Sequence, residues 1–391
     1  MGNDPKHSTR GRVVVAMSGG VDSSVAAALL VEQGFDVVGV TMHLWDAPAE
    51  QRVGRCCAPE DRDDARRVAD HLGIPHYVVD ERTSFRTHVV EPFMDSYLRG
   101  ETPSPCVHCN RTVKLTFLAD LADQFGADRV ATGHYVRLED GPTGPVLRRG
   151  RDLQKDQSYF LFGVPKRTLA CLMFPLGEMV KDEARQHGRR LGVPNADKPD
   201  SQELCFVPDG DVHGFIAERR GTPRGPMVDE AGTVLREHAG VTGFTVGQRK
   251  GLGLGGGPPR YVLRILDNAV VVGGEDKLYQ RELHAVDAAW QVPLPDEAFR
   301  ADVRIRYRHD PAPATVTPTR DGFHAVFDEP QRAITPGQAA VVYNQGRVVA
   351  GGFIVGLPAT KLPTAESLTT ESPTSESKTS KATESKTTAP E

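Results

Sequence analysis

From Arg12 to about Asp200, short apolar runs alternate with longer amphipathic ones. RVVVAM (12–17) is an unbroken apolar run and predicts a buried strand. SSVAAALLVEQG (23–34) predicts a helix that ends at Gly34. DVVGVTMHLW (36–45) predicts a second strand, and APEDRDDARRVADHLGI (58–74) a charged helix. PHYVVD (75–80) predicts a strand, RTVKLTFLADLADQFGA (111–127) a helix and DRVATGHYV (128–136) another strand. Strand and helix in turn predict an α/β unit, a parallel sheet with helices on both faces. Such sheets hold ligands at the carboxyl ends of their strands.

Beyond Asp200 the texture changes. GFTVGQRKGLGLGGGPPRYVLRILD (243–267) is Gly-rich and ends in a strand pattern. ADVRIRYR (301–308), GFHAVFDE (322–329) and QAAVVYNQGRVVAGGFIV (338–355) alternate at period two and predict a small antiparallel β-barrel. The expected organisation is a disordered N-terminus over 1–11, a catalytic domain over 12–207, a small central domain over 208–275, a barrel over 276–357 and a disordered tail over 358–391. That tail is almost all Thr, Ser, Glu, Lys and Pro, and it lacks the apolar surface needed to offset its ordering entropy.

Composition narrows the class. The 391 residues exceed one small core, and 39% hydrophobic with 25% charged residues is ordinary for a globular protein. A net charge of −5 gives no global signal of a polyanion partner, so RNA binding would need a local basic face. No signal-peptide pattern and no apolar run of membrane-spanning length occur, so the expectation is a cytoplasmic chain without a membrane partner. Its 6 Cys then read as thiols, ligands or catalytic groups before structural disulfides.

Two segments carry chemistry. AMSGGVDSS (16–24) lies between the first strand and its helix. Two glycines let the chain turn sharply, and the amides of the loop and helix start converge where the dipole favours an anion. Ser18, Ser23 and Ser24 add hydroxyls, while Asp22 suits a helix cap or a magnesium contact. The Gly-Lys-Ser/Thr ending of a Walker loop is missing, as is the GxGxxG turn. SPCVHCNRTVK (104–114) holds Cys106 and Cys109 at a CxxC spacing. A zinc half-site, a redox pair, a cluster site or a single nucleophile all have this form. Cys56 and Cys57 read as loop residues and make a poor second chelating pair, so no metal ligands are assigned. Cys171 reads as an apolar filler. The helix start, with Arg111 and Lys114, favours thiolate at Cys109. Cys205 follows NADKPD (195–200), which reads as a mobile loop.

Eight segments in order complete the picture: SGGVDSS (18–24), TPSPCVHCNRTVK (102–114), ATGHYVR (131–137), KDQSYFL (155–161), PDSQELCFV (199–207), FTVGQRKGLGLGG (244–256), IRYR (305–308) and TPGQAAVVYN (335–344). SGGVDSS resembles the signature of the PP-loop ATP pyrophosphatases. The set as a whole resembles the tRNA-specific 2-thiouridylases and spans nearly all of 12–355. The resemblance implies an adenine nucleotide alpha hydrolase-like sheet and a tRNA-uridine 2-sulfurtransferase acting on the wobble uridine. ATP with magnesium would adenylate the base. Ala16, Met17, Ser18, Gly19, Gly20, Val21, Asp22, Ser23, Met42 and Gly133 would bind ATP. Cys205 would carry a persulfide, and Cys109 would be the nucleophile that forms a transient disulfide with it. A sulfur donor or persulfide relay protein would load Cys205.

The resemblance further places Ser104, Pro105 and Cys106 at the target base. It places His134, Lys155, Asp156, Gln157, Arg306, Tyr307 and Gln338 at the tRNA. Period two in VRIRYRH puts Arg304, Arg306 and Arg308 on one strand face with Tyr307 opposite. Some relatives have Asp where this chain has Cys106, so the general acid/base role is not carried over. Cys106, Cys109 and Cys205 together also satisfy the composition of an iron–sulfur cluster with one open iron. Two rival readings are a PP-loop ligase acting on a small molecule and a non-catalytic tRNA-binding relic.

Overall fold

The computed structural model describes residues 10–46, 59–141, 143–200, 204–207 and 210–356. Cys56 and Cys57 lie outside them. So do the segments expected to be disordered, apart from Arg10 and Gly11.

The chain opens with β1 (Arg12–Ala16), α1 (Val21–Glu32), β2 (Asp36–His43), α2 (Pro59–Leu72) and β3 (His76–Asp80). β4 (Arg129–Ala131) and β7 (Leu172–Met173) complete a parallel sheet of order β3-β2-β1-β4-β7. Both faces are covered, which is why β1 is apolar without alternation. Val13, Val15 and Met17 pack with Ala27, Leu30, Ala65 and Val68 from α1 and α2. Val14 turns the other way, onto Leu115 and Leu118 of the helix Leu115–Gln124. The strand predicted over 128–136 is cut short. β4 stops at Ala131, and β5 (Val136–Gly141) pairs with β6 (Gly144–Arg149) in a different sheet.

The central unit carries the helix Val212–Arg220 and a sheet of β8 (Gly225–Val228), β9 (Val234–His238), β10 (Tyr261–Leu266) and β11 (Ala269–Gly273), in the order β10-β11-β8-β9. The barrel follows: β12 (Tyr279–Trp290), β13 (Phe299–Arg304), β14 (Ala312–Pro318), β15 (Gly322–Arg332), β16 (Ala339–Asn344) and β17 (Arg347–Val355). These six strands run antiparallel and close through β12 and β17. The β5–β6 hairpin joins the barrel sheet at β17, where Arg347 faces Arg148. One apolar core therefore crosses from the parallel sheet to the barrel. Val14 and Val40 share it with Tyr159, Phe162, Val341 and Tyr343.

The junction also buries a charge. Asp156 is 0% exposed. Its carboxylate accepts from Arg149 at 3.1 Å, from Arg304 at 3.2 Å and from the amides of Gly150 and Ser158. Asp156, which the resemblance places at the tRNA, faces no solvent in this structure and ties β6 to β13. The predicted Arg304–Arg306–Arg308 face is also corrected. β13 ends at Arg304, which is buried, and its guanidinium bonds the carbonyls of Tyr307 and His309 to close a turn. The buried carboxylate recruits the first arginine, so the strand stops there and period two no longer applies.

Removing one partner of a buried pair strands the other charge. Asp156→Ala is expected to cost about 3–5 kcal/mol of stability. Urea denaturation checks it, and a cost below about 1 kcal/mol would show the carboxylate is not the tie described.

Candidate active site

The phosphate loop sits where β1 gives way to α1. Gly19 has φ +75°, and a Cβ there would run into the Asp61 carbonyl of α2. Only glycine fits both demands. The loop is braced from within. The Ser18 amide donates to Ser23 Oγ at 3.1 Å, and the Ser23 and Ser24 hydroxyls donate to the Gly20 carbonyl at 3.0 Å. In this arrangement the Ser23 and Ser24 hydroxyls shape the loop. Asp22 does not stand at the helix cap, because the N-cap of α1 is Gly20, which has no side chain to bond the helix amides. The Asp22 carboxylate accepts from Lys181 at 2.7 Å and Tyr135 at 2.9 Å.

A second set of braces comes from the segment before Cys205. Asn195 Nδ2 donates to the Gly19 carbonyl at 2.9 Å and Ser24 Oγ at 3.0 Å. Lys198 reaches the same carbonyl at 3.2 Å and pairs with Asp61 and Asp64. Asp200 receives Lys155, Lys181 and Arg185. Burial pushes the Asp200 carboxyl up, but hydrogen bonds and charge from Lys155 and Lys181 bring it down to about 2. NADKPD was expected to be mobile. It is a strap bonded along its length to the phosphate loop and the helix Lys181–Arg190, because its polar residues find buried partners.

Beside this loop lies a cavity of about 320 Å³ at the carboxyl edge of the sheet. Ala16, Met17 and Ser18 line it from β1 and the loop, and Met42 from β2. Pro105, Cys106 and Cys109 line it from the CxxC segment, and Cys205 from the far side. His134 and Gln157 complete the group of expected residues. A roomier cavity of about 570 Å³, between Arg99–Glu101, the central sheet and the barrel, contains none of the expected site residues. Gly133 lies behind the loop: a Cβ there would sit 2.6 Å from the backbone of Asp22 and Ser23.

The thiols differ in setting. Cys109 opens a wide π-helical stretch, Cys109–Lys114, and is buried against Phe85, Phe93 and Phe206. Such bulges recur at functional sites. Cys205 packs on the same apolar cluster. Cys106 keeps solvent contact inside the cleft, and burial pushes its thiol up despite the nearby Lys114. The three thiols share the cavity, but they do not make a three-ligand metal set among the described residues. Cys171 bonds the Thr168 carbonyl and packs at the core edge.

The remaining expected tRNA residues divide. His134 bonds Thr132 at 2.7 Å, and burial, helped by Lys114, pushes its imidazole down to about 3. Gln157 accepts from the Tyr135 amide at 2.9 Å. Arg306 donates to the carbonyls of Arg332 and Ala333, and Tyr307 packs on Phe160 at 4.5 Å. Gln338 Nε2 donates to the carbonyls of Thr102 at 2.8 Å and Pro103 at 3.3 Å, just before buried Ser104. Sequence reasoning missed Asp61, Arg62 and Asn110 in the lining and Lys181, Asn195, Lys198 and Asp200 in the braces. The polar and charged residues of NADKPD were a usable signal for the last three; Lys181 had none.

A parallel sheet with a glycine–serine phosphate loop and a cleft at its carboxyl edge defines the PP-loop class of ATP-using proteins. Three family models match in order. They are a tRNA methyl transferase HUP domain over residues 11–209, a tRNA methyl transferase PRC-barrel domain over 213–274 and an aminomethyltransferase beta-barrel domain over 280–354. The chain is 52% identical over 363 residues to the tRNA-specific 2-thiouridylase MnmA of Sorangium cellulosum, covering 89% of this chain and 93% of that one. It is 47% identical to the MnmA of Geobacter metallireducens, covering 88% and 97%. It is 49% identical to that of Magnetococcus marinus, covering 88% and 99%. The chain belongs to the tRNA-specific 2-thiouridylase MnmA family.

Two outcomes follow from the geometry. Gly133→Ala is expected to displace the start of α1 at about 1–3 kcal/mol, and to weaken ATP binding about tenfold. Calorimetric titration with a non-hydrolysable ATP analogue checks it; unchanged affinity would show that the close approach is not needed. His134 is expected to stay neutral from pH 8 down to pH 5. Because its folded value lies below the free value of about 6.5, its contribution to stability is complete above that pH and declines as pH falls. Imidazole NMR shifts read this directly, and a titration between pH 5 and 8 would contradict it.

Proposed function

We propose that this member of the MnmA family thiolates C2 of the wobble uridine of tRNA through an adenylated base and a cysteine persulfide. The observation that carries the mechanism is the placement of Cys109 and Cys205 on one cavity with the phosphate-loop residues Ala16–Ser18. Family membership supports ATP and tRNA as substrates.

The loop amides and the start of α1 would cradle the ATP phosphates, and the apolar wall that includes Met42 would take the adenine. Magnesium would arrive on the phosphates, as it commonly does, and the Asp22 carboxylate would help hold it. The uracil O2 attacks the α-phosphorus, the N3 proton departs and pyrophosphate leaves. The poor leaving oxygen is now part of AMP. A relay protein delivers sulfane sulfur to Cys205. Cys109 thiolate attacks the Cys205 sulfur and forms a Cys109–Cys205 disulfide. The released hydrosulfide adds to C2 and expels AMP. A two-electron reductant then restores both thiols.

An anticodon base must leave its stack to reach such a cleft. Ser104, Pro105 and Cys106 would line its path, neutral His134 and Gln157 would contact it, and Lys155, Arg306 and Tyr307 would hold neighbouring RNA. Gln338 would act on the loop that receives the base. No helix among the described residues is long and apolar enough to cross a membrane; a tRNA substrate supports a cytoplasmic location.

Incubation with ATP, a persulfide donor and tRNA, followed by nucleoside mass analysis, tests the reading. Cys109→Ser and Cys205→Ser are each expected to abolish 2-thiouridine while ATP-dependent AMP transfer to tRNA continues. Thiolation at the normal rate by either variant would remove the two-thiol mechanism.

A further inference from the structure

The segment that leads into the thiol is tied to the barrel as well as to its own domain. The Thr102 amide donates to the Pro336 carbonyl at 2.8 Å. Gln338 grips the Thr102 and Pro103 carbonyls. The His108 ring lies flat on Phe353 of β17, with centroids 4.5 Å apart and planes 4° from parallel. Arg111 forms a two-pronged pair with Asp287 of β12, at 2.6 and 3.1 Å.

These contacts converge on one seam. Val286 faces Phe353 across the β12–β17 pair, and the register shifts between Val286 and Ala289. Asp287 sits in that irregularity at φ +50°. A bulge re-aims a side chain, and a strained non-glycine residue is kept where the surroundings demand it. Here the bulge turns a carboxylate out of the barrel wall and onto the π-helical stretch that starts at Cys109.

We propose that Asp287 is a positioning residue for the Cys109 thiol, acting through Arg111, so that the seam closing the barrel also sets the angle of sulfur attack. This rests on the role proposed for Cys109. The charge of Asp287 fixes Arg111, and Arg111 lies on the first turn after Cys109. His108, stacked on Phe353, fixes the residue before it. RNA docked on the barrel would therefore stand in fixed register with the thiol.

The test uses the full chain, persulfide-loaded, in single-turnover thiolation of tRNA. Asn tolerates the left-handed backbone, so Asp287→Asn removes charge and leaves the turn intact. Its rate is expected to fall about ten- to a hundredfold, with the KM for tRNA within about twofold of wild type. Paired with Arg111→Met, the double variant is expected to be no slower than Arg111→Met alone. A wild-type rate for Asp287→Asn, a loss confined to KM, or losses that multiply in the double variant would each overturn the proposal. Phe353→Leu supplies an independent reading where Asp287→Asn melts early. A rate drop of about threefold or more supports the seam, and an unchanged rate opposes it. Cys109→Ser run alongside separates the two ideas. If it thiolates, the mechanism fails; if it is dead while Asp287→Asn is normal, only the positioning role fails.

Discussion

A carboxylate with no access to water governs how the parts of this molecule meet. Asp156 gathers two arginines and two amides from β6, β13 and the chain between them. An unpaired charge at that depth is heavily disfavoured, so these elements have one good arrangement and few near it. The neighbours of Asp156 inherit the order. Gln157 holds the Tyr135 amide, and Tyr135 in turn donates to Asp22. The phosphate loop and the barrel are thereby linked through one buried ion.

Around that junction, chemistry is assembled from distant parts of the chain. The loop after β1 offers amides to an anion, α2 contributes Asp61 and Arg62 to the lining, and the strap before Cys205 braces the loop from behind. Cys205 lines the same cavity as the loop residues Ala16–Ser18. In the proposed reaction, nucleotide site and sulfur site would be two walls of one cavity, keeping a reactive adenylate close to its sulfur source.

The strand, turn and helix that frame the phosphate loop were legible in the sequence, because the motif is local: RVVVAM, SGGVDSS and the helix after it are adjacent. The thiols were legible as candidates, while their sharing of one cavity was not. IRYR misled, since period two assumes an unbroken strand and the pull of Asp156 on Arg304 ends it. NADKPD misled in the opposite sense. Its polar, Pro-bearing composition suits a free loop, yet Asn195, Lys198 and Asp200 each find a partner far away in sequence.

By itself, the amino-acid order determined the kinds of elements, their succession from parallel sheet to barrel, and the anion-binding turn. Each follows from spacing within a few residues, where backbone geometry dictates which side chains share a face. Tertiary structure alone decided that Asp156 is a buried tie between β6 and β13, that three thiols line one cavity, and that Arg111 meets Asp287 176 positions away. Those outcomes depend on strand register, a bulge and the cost of burying charge, which act between segments whose proximity no local pattern encodes.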